Sequence, residues 1–180
     1  MATDEHRYRV RRLSASEGRE NLGALADVLV DCVEGGASVS FMTPFPKSVA
    51  EEFFEKILGE VETGGRILLV AFDGSQLVGT VQIVTALPAN QPHRADVAKL
   101  LVLRSARGRG VATLLMRSAE ECARECHKTL LVLDTVTGGD AERLYQRLGW
   151  TKAGVIPNYA LYPDGRFCDT TIFWKQLSDA

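Results

Sequence analysis

The stretch "DVAKLLVLRSARGRGVATLL", residues 96–115, followed by "TLLVLDTV" at 129–136, most narrows the folds open to this chain. Residues 96–103 read as a strand, and residues 129–136 are almost wholly apolar. Between them Val111, Leu114, Leu115, Ser118, Ala119, Cys122 and Cys126 recur at helical spacing, predicting a helix from about Gly108 to His127. A strand, an amphipathic helix and a fully apolar strand predict a β-α-β crossover whose second strand is central and parallel to the first. The striped face packs the helix on the sheet, so its first turn is held at the C-terminal end of strand 96–103.

The turn before that helix places Arg104, Arg107, Gly108, Arg109 and Gly110 within seven residues. The first N–H groups of a helix lack internal partners and carry partial positive charge. Arginine there opposes the helix dipole, and glycine lets a ligand reach the backbone. The pattern suits an anion, and a diphosphate better than a lone carboxylate, because several donors converge. A P-loop is excluded, since no lysine stands at its required place; a dinucleotide fingerprint is opposed by Thr113, where a third glycine belongs. A basic helix start that binds nothing in particular is the plain alternative.

The remaining chain fills in an α/β architecture within one domain, residues 1–180. "YRVRRL" (8–13) reads as a strand, with Arg7, Arg9 and Arg11 on one solvated face. A helix is expected over 16–33, a glycine break at 34–42, and a second helix over 46–65 that Pro46 starts and Gly64 ends. Strands follow at 66–72 and 76–84 around "DGS", then a loop at 88–94. Beyond the crossover, "GDAERLYQRLG" (139–149) is a short helix, and 151–162 and 167–177 are antiparallel strands around "PDGR".

With 180 residues, 46% of them hydrophobic, the chain can bury a full core. A net charge of −2 offers no global field for nucleic acid. "MATDEHRYRVRR" lacks the apolar run of a secretory signal, and no stretch has the length of a membrane span, so a cytoplasmic protein is expected, without nucleic-acid or membrane partners. Cys32, Cys122, Cys126 and Cys168 form no C-x-x-C pair; even with His127 beside Cys126 they read as small core residues, and no metal is expected.

Arg107, Gly110 and Ala112 fill the pattern [QR]-x-x-G-x-[GA], and here the sequence resembles the GNAT superfamily of N-acetyltransferases. "LLVLRSARGRGVATLL" resembles that family's strand-turn-helix core, and "AERLYQRLGW" (141–150) its later tyrosine-bearing helix. "GGASVSFM", "RADVAKLLVLRSARGRG", "LLVLDT" and "IPNYALYPDGR" together resemble the tabtoxin-resistance type, which acetylates an amine on a small antimetabolite and so gives antibiotic resistance. The departures are Arg104, where many members have proline, and Gly138, seven residues before Tyr145, where many have asparagine.

The resemblance implies the GNAT fold, a mixed central β-sheet of about seven strands with a splayed parallel pair and about four helices. It implies acetyl-CoA as co-substrate, gripped by Arg107, Gly108, Arg109, Gly110, Val111, Ala112 and Thr113 and paired with the backbone of Leu101, Val102 and Leu103. The amine must lose a proton, and two carboxylates could take it: Asp96, at the start of the splayed strand, and Asp134, at the lip of the apolar one. Asp134 reads as a base, as an anchor for the amine, or as a cap on the amides of Thr137 or Gly138; Asp96 reads equally as an exposed strand end. The resemblance makes Tyr145 the acid for the leaving thiolate, where the plain alternative is a half-buried core tyrosine. His93 reads as surface. Ser38, Ser40 and Phe41 on one side, and Tyr159 and Tyr162 on the other, are the candidate contacts for a small amine. Direct transfer in a ternary complex is expected, with no cysteine acyl intermediate. Peptide N-acetylation and a non-catalytic acyl-CoA-binding module are the rivals, and a homodimer is compatible with the sequence.

Overall fold

The computed structural model describes residues 7–177. Its elements run β1 (Tyr8–Leu13), α1 (Ala15–Glu20), α2 (Leu22–Glu34), α3 (Lys47–Glu62), β2 (Arg66–Asp73), β3 (Gln76–Val84), β4 (Arg94–Val102), a 3-10 turn (Arg104–Ala106), α4 (Val111–Glu125), β5 (Leu130–Val136), α5 (Asp140–Arg147), β6 (Thr151–Leu161) and β7 (Phe167–Gln176). The seven strands form one mixed sheet in the order β1-β2-β3-β4-β5-β7-β6.

The order follows the sequence expectation, with local corrections. The helix expected at 16–33 is two helices. Ser14 caps α1 through a reciprocal exchange with Glu17, and that helix ends at Asn21. Helix α4 begins at Val111 rather than Gly108, because Gly108 and Gly110 adopt φ of +73° and +83°. Strand β5 is interior, as its apolar run requires. Yet it is parallel to β4 over only three residue pairs and antiparallel to β7 over seven.

Two apolar clusters lie on the two faces of the sheet. One joins α2 and α3 to Leu68, Val70, Leu77 and Leu101, with Phe54 and Leu58 fully enclosed. The other joins α4 and α5 to Ala71, Val81, Leu131 and Phe173. Among the described residues no helix is long and apolar enough to cross a membrane.

Strands β3 and β4 pack tightly around Gly79. A Cβ there would lie 2.8 Å from the Leu101 carbonyl oxygen, 3.2 Å from Leu115 Cδ1 and 3.3 Å from Val102 Cγ2. Gly79→Ala must push β4 or α4 outward. We expect a loss of about 1–3 kcal/mol, read as a lower urea midpoint at unchanged slope.

Candidate active site

The central irregularity of the sheet is where β4 leaves β5. Only Arg94, Ala95 and Asp96 pair with β5, opposite Leu130, Leu131 and Val132. Beyond Asp96 the two strands part, while β4 stays on β3 as far as Val102 and β5 stays on β7 as far as Val136. A bulge on β4 accompanies the parting. Ala98 faces Gln82 and Leu101 faces Thr80, so Lys99 and Leu100 stand against Val81 alone, and Lys99 takes a positive φ of 52°. An extra residue bends a strand and turns it from its neighbour.

The last residues of β4 divide their backbone groups between the two edges. Leu103 donates its amide to Val78 O at 2.9 Å, and its carbonyl accepts from Ala106. The Leu101 carbonyl abuts Gly79. Val102 is turned the other way: its carbonyl accepts from Arg107 Nε at 3.1 Å and from Cys32 Sγ at 3.5 Å. In a strand the N–H and C=O of one residue share an edge, so the Val102 amide faces the parting. Of Leu101, Val102 and Leu103, the residues expected to pair with a ligand, Val102 alone turns its backbone to the opening.

At the end of β4 the Arg-Gly turn opens into α4. Among the described residues, no acceptor is found for the backbone amides of 108–113; the first amide of this segment with a partner is that of Leu114, on Gly110 O. The Cβ positions of Gly108 and Gly110 are open to 4 Å. The three arginines do different things. Arg104 holds Asp31 through both its backbone amide and its Nε, and Arg107 folds back on Val102 and Cys32. Arg109 forms no ion pair among the described residues, and its charge reaches Asp73. Convergent amides, open glycines and one uncommitted guanidinium fit a diphosphate.

On the α3 side of the parting lies a cleft of ≈ 560 Å³ whose wall includes Phe53, Asp96, Lys99 and Asp134. Asp96 is tied to Arg94 on its own strand. Asp134 is exposed and accepts from Thr170 Oγ1 at 3.1 Å. It does not cap the following turn, whose amides are held elsewhere: Thr137 donates to Asp169 O and Gly138 to Glu142 Oε2. Lys99 was not among the sequence candidates. Its Nζ donates to Ser40 Oγ at 2.9 Å and lies 5.9 Å from the Phe53 ring, and burial lowers its pKa although Asp134 raises it. A lysine in the otherwise apolar run "VAKLLVL" is the only sequence signal for it.

Tyr145 sits on α5, packed between Trp150 and Phe173 at centroid distances of 5.9 Å. Burial, and then the charge of Asp134, push its phenol far above the ordinary pKa, so it stays protonated. Its mount is a buried polar knot. Trp150 Nε1 donates to Glu120 at 3.0 Å, and Lys175 Nζ bridges both Glu120 oxygens and Leu148 O. Glu142 caps the start of α5 on Gly138, which holds its carboxyl below the usual range.

The remaining candidates divide. Ser40 and Phe41 do not line the cleft but touch residues that do: Ser40 accepts from Lys99, and Phe41 meets the Phe53 ring edge-on at 5.2 Å. Ser38 instead donates to Leu161 O at 2.7 Å, and Thr43 bonds Pro163 O, fastening the loop to the β6–β7 hairpin. Tyr159 is exposed on β6, and Tyr162 lies under Arg166; neither lines the cleft. His93 uses its carbonyl, which accepts from the amide of Thr129.

Comparison with known proteins agrees with this geometry. Residues 37–150, more than half of the chain, match the model of the "Acetyltransferase (GNAT) family". The fold is similar to that of a GCN5-related N-acetyltransferase from Kribbella flavida, with TM-score 0.79 and 19% identity, covering 96% of this chain and 99% of that one. It is similar to yncA of Salmonella typhimurium, solved with its cofactor acetyl-CoA, with TM-score 0.77 and 18% identity over 97% and 96% of the two chains. A ribosomal-protein-alanine N-acetyltransferase from Brucella melitensis aligns with TM-score 0.77 and 23% identity over 94% and 99%. The parted strands, the glycine-arginine turn and the family match lead to one conclusion: this chain belongs to the acetyltransferase (GNAT) family, enzymes that draw their acyl group from acetyl-CoA.

Proposed function

We propose that the protein acetylates the primary amine of a small, amino-acid-like molecule, by direct transfer within a ternary complex. The observation that carries this reading is the cleft at the parting, with Asp134, Lys99 and Phe53 on its wall and Phe41 packed against Phe53. A concave, charged cleft of ≈ 560 Å³ has the size of a small-molecule site, which favours a small amine over a peptide chain. The likeness to the tabtoxin-resistance type points the same way.

Acetyl-CoA, when bound, supplies a thioester already activated for transfer. The chain's own residues do the rest. The amides of 108–113, with Arg109, hold the diphosphate and so fix where the thioester lies. The Val102 amide faces the opening and supports charge developing on a carbonyl oxygen placed there. Asp134 receives the ammonium and takes its first proton. Tyr145, kept protonated by burial, gives a proton to sulfur and regains one as the nitrogen sheds its second. Cys168 is buried and donates to Ser38 Oγ at 3.5 Å, a structural use that supports direct attack over a cysteine intermediate.

Asp134→Asn and Tyr145→Phe should each lower kcat about 10²- to 10⁴-fold in a thiol-release assay, with little change in acetyl-CoA affinity. Unaltered turnover in either variant removes that residue from the mechanism. Cys168→Ala should retain activity; its loss would point to a covalent route.

Gly110→Ala adds a Cβ at positive φ and at the amide cradle. We expect a stability loss of about 1 kcal/mol and a dissociation constant for coenzyme A raised at least about tenfold by calorimetry. Arg109→Gln should weaken binding several-fold, and less so at high salt. Equal affinity in Gly110→Ala places the diphosphate elsewhere.

A further inference from the structure

Six charged side chains line the cleft: Lys56, Glu60, Arg66, Asp96, Lys99 and Asp134. Four are already neutralised within the protein. Lys56 pairs with Glu52 at 2.9 Å, Arg66 with Glu60 at 2.7 Å, and Asp96 with Arg94. Among the described residues Lys99 and Asp134 make no ion pair. Each is held by a neutral hydroxyl instead, Lys99 on Ser40 and Asp134 on Thr170. They feel one another, since the carboxylate supports the charge on the ammonium, yet they do not approach within 4.0 Å. The cleft therefore presents one uncompensated cation and one uncompensated anion, separated by more than a direct contact.

A pocket of this kind is complementary to a molecule carrying both charges. We propose that the acceptor is a zwitterion, an amino acid whose carboxylate docks on Lys99 Nζ while its ammonium docks on Asp134. The inference rests on the acetyltransferase reading of the cleft and adds a specificity-determining residue to it. Burial disfavours a charged Lys99, and a carboxylate docked on its Nζ supplies an opposing charge. The Ser40 hydroxyl and the bulge at Lys99 aim the ammonium, and Phe53 walls its other side. Acetylation consumes one of the two attractions. The nitrogen gains the acetyl carbon and the carbon–sulfur bond breaks; one ammonium proton leaves to Asp134, the second passes to Tyr145 as that phenol protonates the departing sulfur, and the neutral amide no longer needs a carboxylate. The product keeps only its contact to Lys99.

The test compares matched acceptors in the thiol-release assay: free L-amino acids, their methyl amides, and the corresponding decarboxylated amines. The wild type should favour the free acids about 10- to 100-fold in kcat/KM. Lys99→Met should bring that ratio to about unity, Lys99→Arg should retain part of it, and calorimetry should show coenzyme A binding preserved in both. Thiol release that treats acids and amides alike in the wild type overturns the zwitterion assignment while acetyl transfer stands, and needs no variant. A ratio that survives in a folded Lys99→Met places the carboxylate elsewhere. Absence of thiol release with every acceptor overturns both this inference and the function it rests on.

Discussion

The parting of β4 from β5 is the constraint on which the rest of the molecule depends. A sheet gains most when every strand is paired, and a gap leaves backbone groups without partners along two interior edges. The chain tolerates this because both strands remain paired on their outer sides, β4 with β3 and β5 with β7. The bulge at Lys99 and Leu100 supplies the bend. The same residue that turns the strand also points a cation into the opening, so the deformation of the sheet and the charge of the cleft share one origin.

From the gap the two halves of the chemistry separate by face. The glycine-arginine turn continues directly from β4, so the amides of 108–113 lie at the end of the parted strand. Asp134 stands on the opposite lip, on β5, and Tyr145 follows on α5 behind it. Glu120, Trp150 and Lys175 brace the end of α5 from beneath, and Glu142 braces its start. Each of these carboxylates is buried with partners in place, as a buried charge requires.

Much of this was legible in the sequence because it rests on local signals. The strand-turn-helix at 96–127 followed from apolar spacing and two glycines, and the hairpins at Gly74 and Gly165 followed from turn residues. What could not be read depends on contacts distant in the chain. The bulge at Lys99 arises from its register with Val81, and nothing in "VAKLLVL" marks a positive φ. Arg107 looked like a free guanidinium, but its partners are Cys32 on α2 and the Val102 carbonyl. The break at Asn21 was hidden because no proline or paired glycine marks it, and only the cap at Ser14 sets α1 apart. Tyr159 and Tyr162 matched expectation in type, yet the hairpin carries them away from the cleft wall.

The division of the apolar interior into two clusters has a bearing on how such a molecule can change. The sheet is a shared floor, with the proposed donor grip mainly on its α4 side and the proposed acceptor wall on its α3 side. Energetic effects of well-separated residues add nearly independently. On the proposed assignment, Phe53, Lys56 and the rest of the α3 wall can therefore be rewritten for a differently shaped guest without loosening the coenzyme's seat. One half of the protein is free to explore new chemistry while the other keeps a fixed supply of acyl groups.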